Sequence, residues 1–292
     1  MKLIFIHGRD QGGKDPIALK NTWVKTLETG LKKSGLTLPI SDEDIMFPFY
    51  GDLLDKLVDQ YNDPIESVIK KGFDSNSTDA SFFHDFLQEV ADNSKISLQE
   101  IEQERTTEIT EKGPLNWAWV HSILIAIDKK KSWSEATIKK FTYDVFLYLT
   151  IPAIRQKIED EVMKSFSNES CVVVGHSLGS IVSYNILRDI TTTKASKLIT
   201  VGSPLAINAV KKYLKTPIKM PDSVKNGWFN AYDERDVVAL KPLDNKYFNI
   251  DPSIKNKNDV KNKTRNRHGI EGYLNDKEIA KEIYNALTND CN

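Results

Sequence analysis

The stretch Cys171-Val172-Val173-Val174-Gly175-His176-Ser177-Leu178-Gly179-Ser180-Ile181-Val182 decides the reading of this chain. A short β-branched run closes on Gly-x-Ser-x-Gly, and an apolar helical pattern through Leu187 follows at once. A buried strand that turns directly into a helix places the central serine on a sharp, strained corner with its hydroxyl lifted above the sheet. Side chains in place of Gly175 or Gly179 would collide with neighbouring backbone. The start of the helix also brings open N–H donors and a positive dipole end to the same point.

Outward from this turn the chain alternates strand and helix. Upstream, Leu3–Ile6 reads as a buried strand running into Gly8 and a turn-rich loop, Arg9 to Pro16. A helix from about Ile17 to Lys33 follows, with Leu19, Trp23, Leu27 and Leu31 at helical spacing and Gly35 as its stop. Ile45–Tyr50 reads as a second strand. Downstream, Lys197–Val201, Gly227–Tyr232 and Lys246–Ile250 read as strands, and an amphipathic helix covers about 276–288. Apolar strands alternating with helices indicate a mostly parallel central sheet covered on both faces, an α/β class.

Residues 53–166 differ in character. Helical patterns near 53–62, 79–92, 97–109, 115–128 and 134–165 dominate, and Pro152 is expected to kink or divide the last. Ser97-Leu98-Gln99-Glu100 and Ser132-Trp133-Ser134-Glu135 fit the capping box. The expected organisation is therefore a core from 1–52 and 167–292 with a helical cap or lid inserted at 53–166.

Composition sets the outer limits. Forty basic against forty-one acidic residues, net charge −1, give no global attraction to nucleic acid. Two cysteines, Cys171 in a buried strand and Cys291 near the end, make a structural disulfide unexpected and suit a reducing, cytoplasmic setting. The N-terminal apolar run is too short for a secretory signal, and Leu115 to Ile127 is too short to span a membrane. Gly12-Gly13-Lys14 lacks P-loop spacing.

The run Val-Val-Val-Gly-His-Ser-Leu-Gly-Ser, with Ile-Phe-Ile-His-Gly far upstream, resembles the α/β-hydrolase superfamily, especially its lipase- and esterase-like members. The resemblance covers about 1–50 and 168–292. It implies Ser177 as nucleophile, flanked by Gly175, His176 and Gly179 in the turn. Four of the five histidines have blander roles: His7 and His176 inside the motifs, His84 and His121 on the helical block. The resemblance implies His268, on the loop before the last helix, as the base. The orienting acid is expected after the Trp228–Tyr232 strand, between serine and base in chain order. Asp236, leading into Val237-Val238-Ala239, is the first choice and Asp233 the alternative.

Two oxyanion donors are expected, the backbone N–H of Leu178 and one from the loop after the first strand, with Arg9 as candidate. The Arg9 side chain either meets an anionic part of the substrate or pairs with Asp10 or Asp15. Such chemistry needs no metal and no cofactor, and no Cys/His cluster has ligand spacing. The implied substrate is a lipid or other acyl ester. Phe82, Phe83, Phe86, Trp117, Trp119, Ile123, Leu124, Phe146, Leu147 and Leu149 form either an apolar acyl pocket or the core of the helical block. The Lys255–Arg267 run, with six cations against Asp259, is either a solvated loop or a transient contact for anionic membrane headgroups. The same motifs would serve an acyltransferase, a peptidase or an inactive binding module.

Overall fold

The computed structural model describes residues 1–61, 78–105, 117–131, 133–190, 192–239 and 241–289. Six parallel strands form one sheet in the order β2-β1-β3-β4-β5-β6, from β1 (Lys2–Ile6), β2 (Ile45–Met46), β3 (Cys171–His176), β4 (Ala195–Val201), β5 (Trp228–Ala231) and β6 (Lys255–Lys257). The register places Leu3 beside Val172, Ile4 beside Val173 and Phe5 beside Val174. The pleat then sorts these residues by parity. Leu3, Phe5, Val172 and Val174 face one hydrophobic cluster, whereas Ile4, Ile6 and Val173 face another.

The first cluster is covered by α1 (Pro16–Lys32) and the C-terminal helix Lys277–Thr288, through Trp23, Leu27, Leu31, Ile279 and Ile283. The second is covered by the helix after β3, Leu178–Asp189, and by the helical block. In chain order the block contains α2 (Gly51–Gln60), α3 (Thr78–Asn93), α4 (Leu98–Gln103), α5 (Trp117–Lys130), α6 (Glu135–Thr150) and α7 (Pro152–Met163). The helices that follow are α8 (Leu178–Asp189), α9 (Asn208–Lys211), α10 (Ile270–Leu274) and α11 (Lys277–Thr288). Ile154, Ile158 and Val162 of α7 join Ile4 and Val173 of the sheet in one continuous cluster with Phe82, Phe86 and Phe146. Among the described residues no helix is long and apolar enough to cross a membrane.

The expected break at Pro152 is present. Ile151, immediately before it, is extended at φ −105° and ψ 100°, which ends α6 and starts α7. Ser97 and Glu100 form the reciprocal capping box, with Oγ accepting from the Glu100 amide at 3.2 Å and Oε2 from the Ser97 amide at 2.7 Å. Ser132 lies outside the described residues, and Ser134 caps α6 by accepting from Thr137 N–H. Cys291, Leu115 and the Trp117 side chain also lie outside them.

Three strand expectations need correction. Ile45–Tyr50 pairs only at Ile45 and Met46, since Pro48 has no N–H for the ladder. Lys246–Ile250 is no strand: the Asp244 carboxylate accepts from the amides of Lys246 and Tyr247 and closes the segment into a turn. The last parallel strand is instead Lys255–Lys257, at the start of the segment read as a solvated loop. Its polar residues suit a sheet edge, where Asn256 bonds Asn230 and the main chain of Leu243.

Candidate active site

β1 pairs with β2 on one side and β3 on the other, so the chain reverses its direction of travel across the sheet between β1 and β3. Such a switch point opens a crevice beyond the carboxyl ends of the strands. Ser177 follows β3 there and Gly8 follows β1. Ser177 has φ 57° and ψ −129°, a strained conformation for a residue with a side chain. Its amide donates to the Val201 carbonyl at 3.2 Å, and its own carbonyl accepts from the Ser180 amide and the Ser180 hydroxyl. Ser180 is in turn held by the Ser203 hydroxyl at 2.7 Å.

Close packing enforces the glycines. A Cβ on Gly179 would lie 2.2 Å from the Ile6 carbonyl oxygen, and one on Gly175 2.8 Å from the Gly179 carbonyl oxygen. A Cβ on Gly8 would sit 3.1 Å from Ser177 Oγ. The first loop therefore runs so close to the serine side chain that Gly8 has no room for a Cβ.

Ser177, His268 and Asp236 come together in a relay. The Ser177 hydroxyl lies 2.8 Å from His268 Nε2, and His268 Nδ1 lies 2.6 Å from Asp236 Oδ2. Asp236, fully buried, also accepts from Tyr273 Oη on Oδ2 at 2.6 Å and from the Val238 amide on Oδ1 at 3.2 Å. Burial, then the Asp236 charge, raise the Tyr273 phenol well above its ordinary range, so it donates as a neutral hydroxyl.

Asp233, the alternative acid, is turned elsewhere. It accepts from the Arg235 guanidinium and from the amides of Arg235 and Asn262. It thereby ties the β5 turn to the segment that carries His268. Asn262 continues that bracing: its amide nitrogen donates to the Gly269 carbonyl, and its side-chain oxygen accepts from Thr264. The Lys255–Arg267 segment is thus internally bonded, with Lys257 buried among Asp259, Asp276 and Glu278. Lys261, Lys263 and Arg265 remain exposed.

The two histidines of the motifs pack the base of the site. His176 Nε2 donates to the His268 carbonyl at 2.7 Å, and the two rings lie 4.8 Å apart. Burial, with the neighbouring His268 imidazole, lowers His176 well below the usual histidine range. His7 stacks on Tyr50 at 4.0 Å, donates from Nδ1 to the Gly8 carbonyl and accepts the Tyr50 amide on Nε2. Burial pushes its pKa down to about 4. His84 and His121 lie on the helical block beside Asp85 and Glu135.

Leu178 begins α8, where first-turn amides have no intrahelical acceptor. Arg9 makes the expected ion pair with Asp10 and a closer one that was not expected. Its side chain is buried, with Nε 2.5 Å from Asp144 Oδ2 on α6, and Asp10 lies only at 3.5 Å. Asp15 caps α1 instead. The lone acid in Tyr143-Asp144-Val145-Phe146-Leu147 was the available signal for this partner.

The block also walls the histidine. Trp133 lies 5.3 Å from the His268 ring and its indole donates to the Asn266 carbonyl, while Phe141 meets the same ring edge-on at 6.0 Å. Phe82, Phe83, Phe86 and Phe146 stack on one another within the buried core, so they build the block itself. Gly202 was missed as well. At φ 57°, it passes close beneath the base, where a Cβ would lie 3.2 Å from His268 Nδ1.

The family model of the PGAP1-like alpha/beta domain matches residues 144–250, a span that includes Ser177 and Asp236 and ends before His268. Searches of curated proteins and of solved structures found no significant match. Six parallel strands flanked by helices, with a serine at the strand-to-helix corner of the switch point, form an α/β-hydrolase-type fold, and residues 144–250 are similar to a family of that type.

Proposed function

We propose that the chain is a serine hydrolase that cleaves carboxylic esters through an acyl-enzyme. The observation that carries this reading is the continuous relay from Ser177 Oγ through His268 to buried Asp236, set on a strained corner. A serine hydroxyl is a weak nucleophile until a base removes its proton. His268 Nε2 takes that proton as Ser177 Oγ attacks the carbonyl carbon. Asp236 keeps Nδ1 protonated, so Nε2 is free to accept, and stabilises the imidazolium that forms. The amides of Leu178 and Arg9 receive the negative oxygen. His268 then hands its proton to the leaving alcohol, and water attacks the acyl-enzyme by the reverse route. The steps use no metal or cofactor. Apolar walls at Trp133 and Phe141 favour an acyl or lipid ester near the base.

A fluorophosphonate probe tests the reading. Wild-type protein is expected to label at Ser177, with labelling lost in Ser177→Ala and strongly slowed in His268→Ala. Persistent labelling of Ser177→Ala overturns the assignment. Hydrolysis across a chain-length series of p-nitrophenyl esters then tests the substrate class, since a lipid-binding site favours longer chains.

A further inference from the structure

We propose that Asp144 is a positioning residue for the oxyanion site, holding Arg9 so that α6 forms part of the hydrolytic centre. The inference rests on the serine-hydrolase reading above.

Asp144 is 1% exposed and sits between apolar neighbours on α6. Only Oδ2 has a partner, the Arg9 guanidinium; Oδ1 has no hydrogen bond among the described residues. A buried ion pair, half satisfied, returns little net stability, because desolvation cancels most of the attraction. Burial indeed works against its charge, raising the Asp144 pKa despite Arg9. What the pair fixes is geometry, between segments 135 residues apart in sequence.

The geometry matters because of what Arg9 adjoins. Gly8 runs close beside Ser177, where a Cβ on it would lie 2.7 Å from Ser177 Cβ. The Gly8 carbonyl is held by His7 Nδ1 at 2.6 Å and the Arg9 carbonyl by Gln11 Nε2 at 2.8 Å. In a trans peptide the Arg9 N–H points opposite to the Gly8 C=O, hence away from the His7 ring. These two local bonds set the orientation of the peptide. Asp144 is the partner from outside the loop that binds Arg9 itself and holds it against α6. The same helix places Phe141, one turn earlier, edge-on to His268. One helix thereby references both the base and the loop that bears the proposed second donor.

The test uses the full chain and two variants. Asp144→Asn removes the charge at constant volume. Arg9→Met/Asp144→Leu removes both charges, an exchange that leaves no buried ion unpaired and should preserve folding. For each, kcat and KM are measured on p-nitrophenyl butyrate, together with affinity for a trifluoromethyl ketone and its matched methyl ketone. The trifluoromethyl ketone forms an oxyanion on the serine; the methyl ketone reports ground-state binding. A displaced donor is expected to lower kcat and trifluoromethyl ketone affinity together by roughly 10- to 100-fold, less than removing a donor outright. KM and methyl ketone affinity should stay close to wild type. A folded double variant with wild-type kcat and trifluoromethyl ketone affinity overturns the proposal, as does an equal loss toward both ketones. If wild-type protein is not labelled at Ser177, the serine-hydrolase reading fails first, and this inference falls with it.

Discussion

Replacing Asp236 with asparagine separates the chemistry of the site from its packing. The carboxylate has two distinct edges: Oδ1 accepts from Val238 N–H, and Oδ2 accepts from His268 and Tyr273. An asparagine amide can enter in two orientations. With its oxygen at the Oδ2 position, its NH2 group faces the Val238 N–H, donor against donor, at a cost of about 1–3 kcal/mol. With its oxygen at the Oδ1 position, Val238 is satisfied and the NH2 group donates to His268 Nδ1 and faces the Tyr273 oxygen, whose own O–H loses its acceptor. Each orientation thus leaves one buried donor unpaired, but the Tyr273 hydroxyl can rotate about its C–O bond whereas the Val238 N–H is fixed in the backbone, so the second orientation wins. It forces the proton of His268 onto Nε2, which faces Ser177 Oγ at 2.8 Å and can no longer accept from it. The expected loss in kcat is about ten-thousand-fold, or roughly 5 kcal/mol of transition-state stabilisation. Stability should fall by about 1–3 kcal/mol, since the buried Tyr273 O–H loses its acceptor. Asp233→Asn is the control: it weakens the bracing through Arg235 and Asn262, costs stability, and leaves kcat within about tenfold of wild type. Steady-state hydrolysis of p-nitrophenyl butyrate with calorimetry on both variants makes the comparison. Near-normal turnover in Asp236→Asn beside an inactive, folded Asp233→Asn would refute the reasoning.

Two further outcomes follow from the shell around the relay. Tyr273→Phe deletes a hydrogen bond to a buried carboxylate and should cost about 1.5–3 kcal/mol of stability by urea titration, with slower fluorophosphonate labelling; unchanged stability and labelling would show that Tyr273 does not brace Asp236. Burial holds His7 near 4 against an ordinary 6.5, so the unfolded chain binds a proton below about pH 6.5 while the folded chain does not. The His7 contribution is intact above that pH and declines toward pH 4 by about 3 kcal/mol, with buried His176 acting in the same direction. Urea unfolding of wild type and His7→Gln across this window should show a shallower acid decline in the variant, and parallel curves would contradict it.

The sequence alone determined the parts that rest on local pattern. The β-branched run through Val174 and the helix after Leu178 specify the corner at Ser177, because Gly175 and Gly179 are the residues that such close backbone contact admits. Helical spacing located most of the block, and Pro152 divided its last segment, since proline disfavours helix in the residue before it. At the sheet edges the β2 strand was read too long, since pairing ends before Pro48, and Lys255–Lys257 escaped, because three polar residues carry no periodicity. Tertiary structure decided everything that depended on direction. The apolar run after Asp236 favours it over Asp233 in sequence, but only packing places Asp236 against His268 and draws Asp233 off to Arg235 and Asn262. Arg9 pairs with its sequence neighbour Asp10, yet its closer, buried partner is Asp144, 135 residues away on α6. Which carboxylate meets which cation is set by how buried helices pack on the sheet, and a linear sequence does not contain that direction.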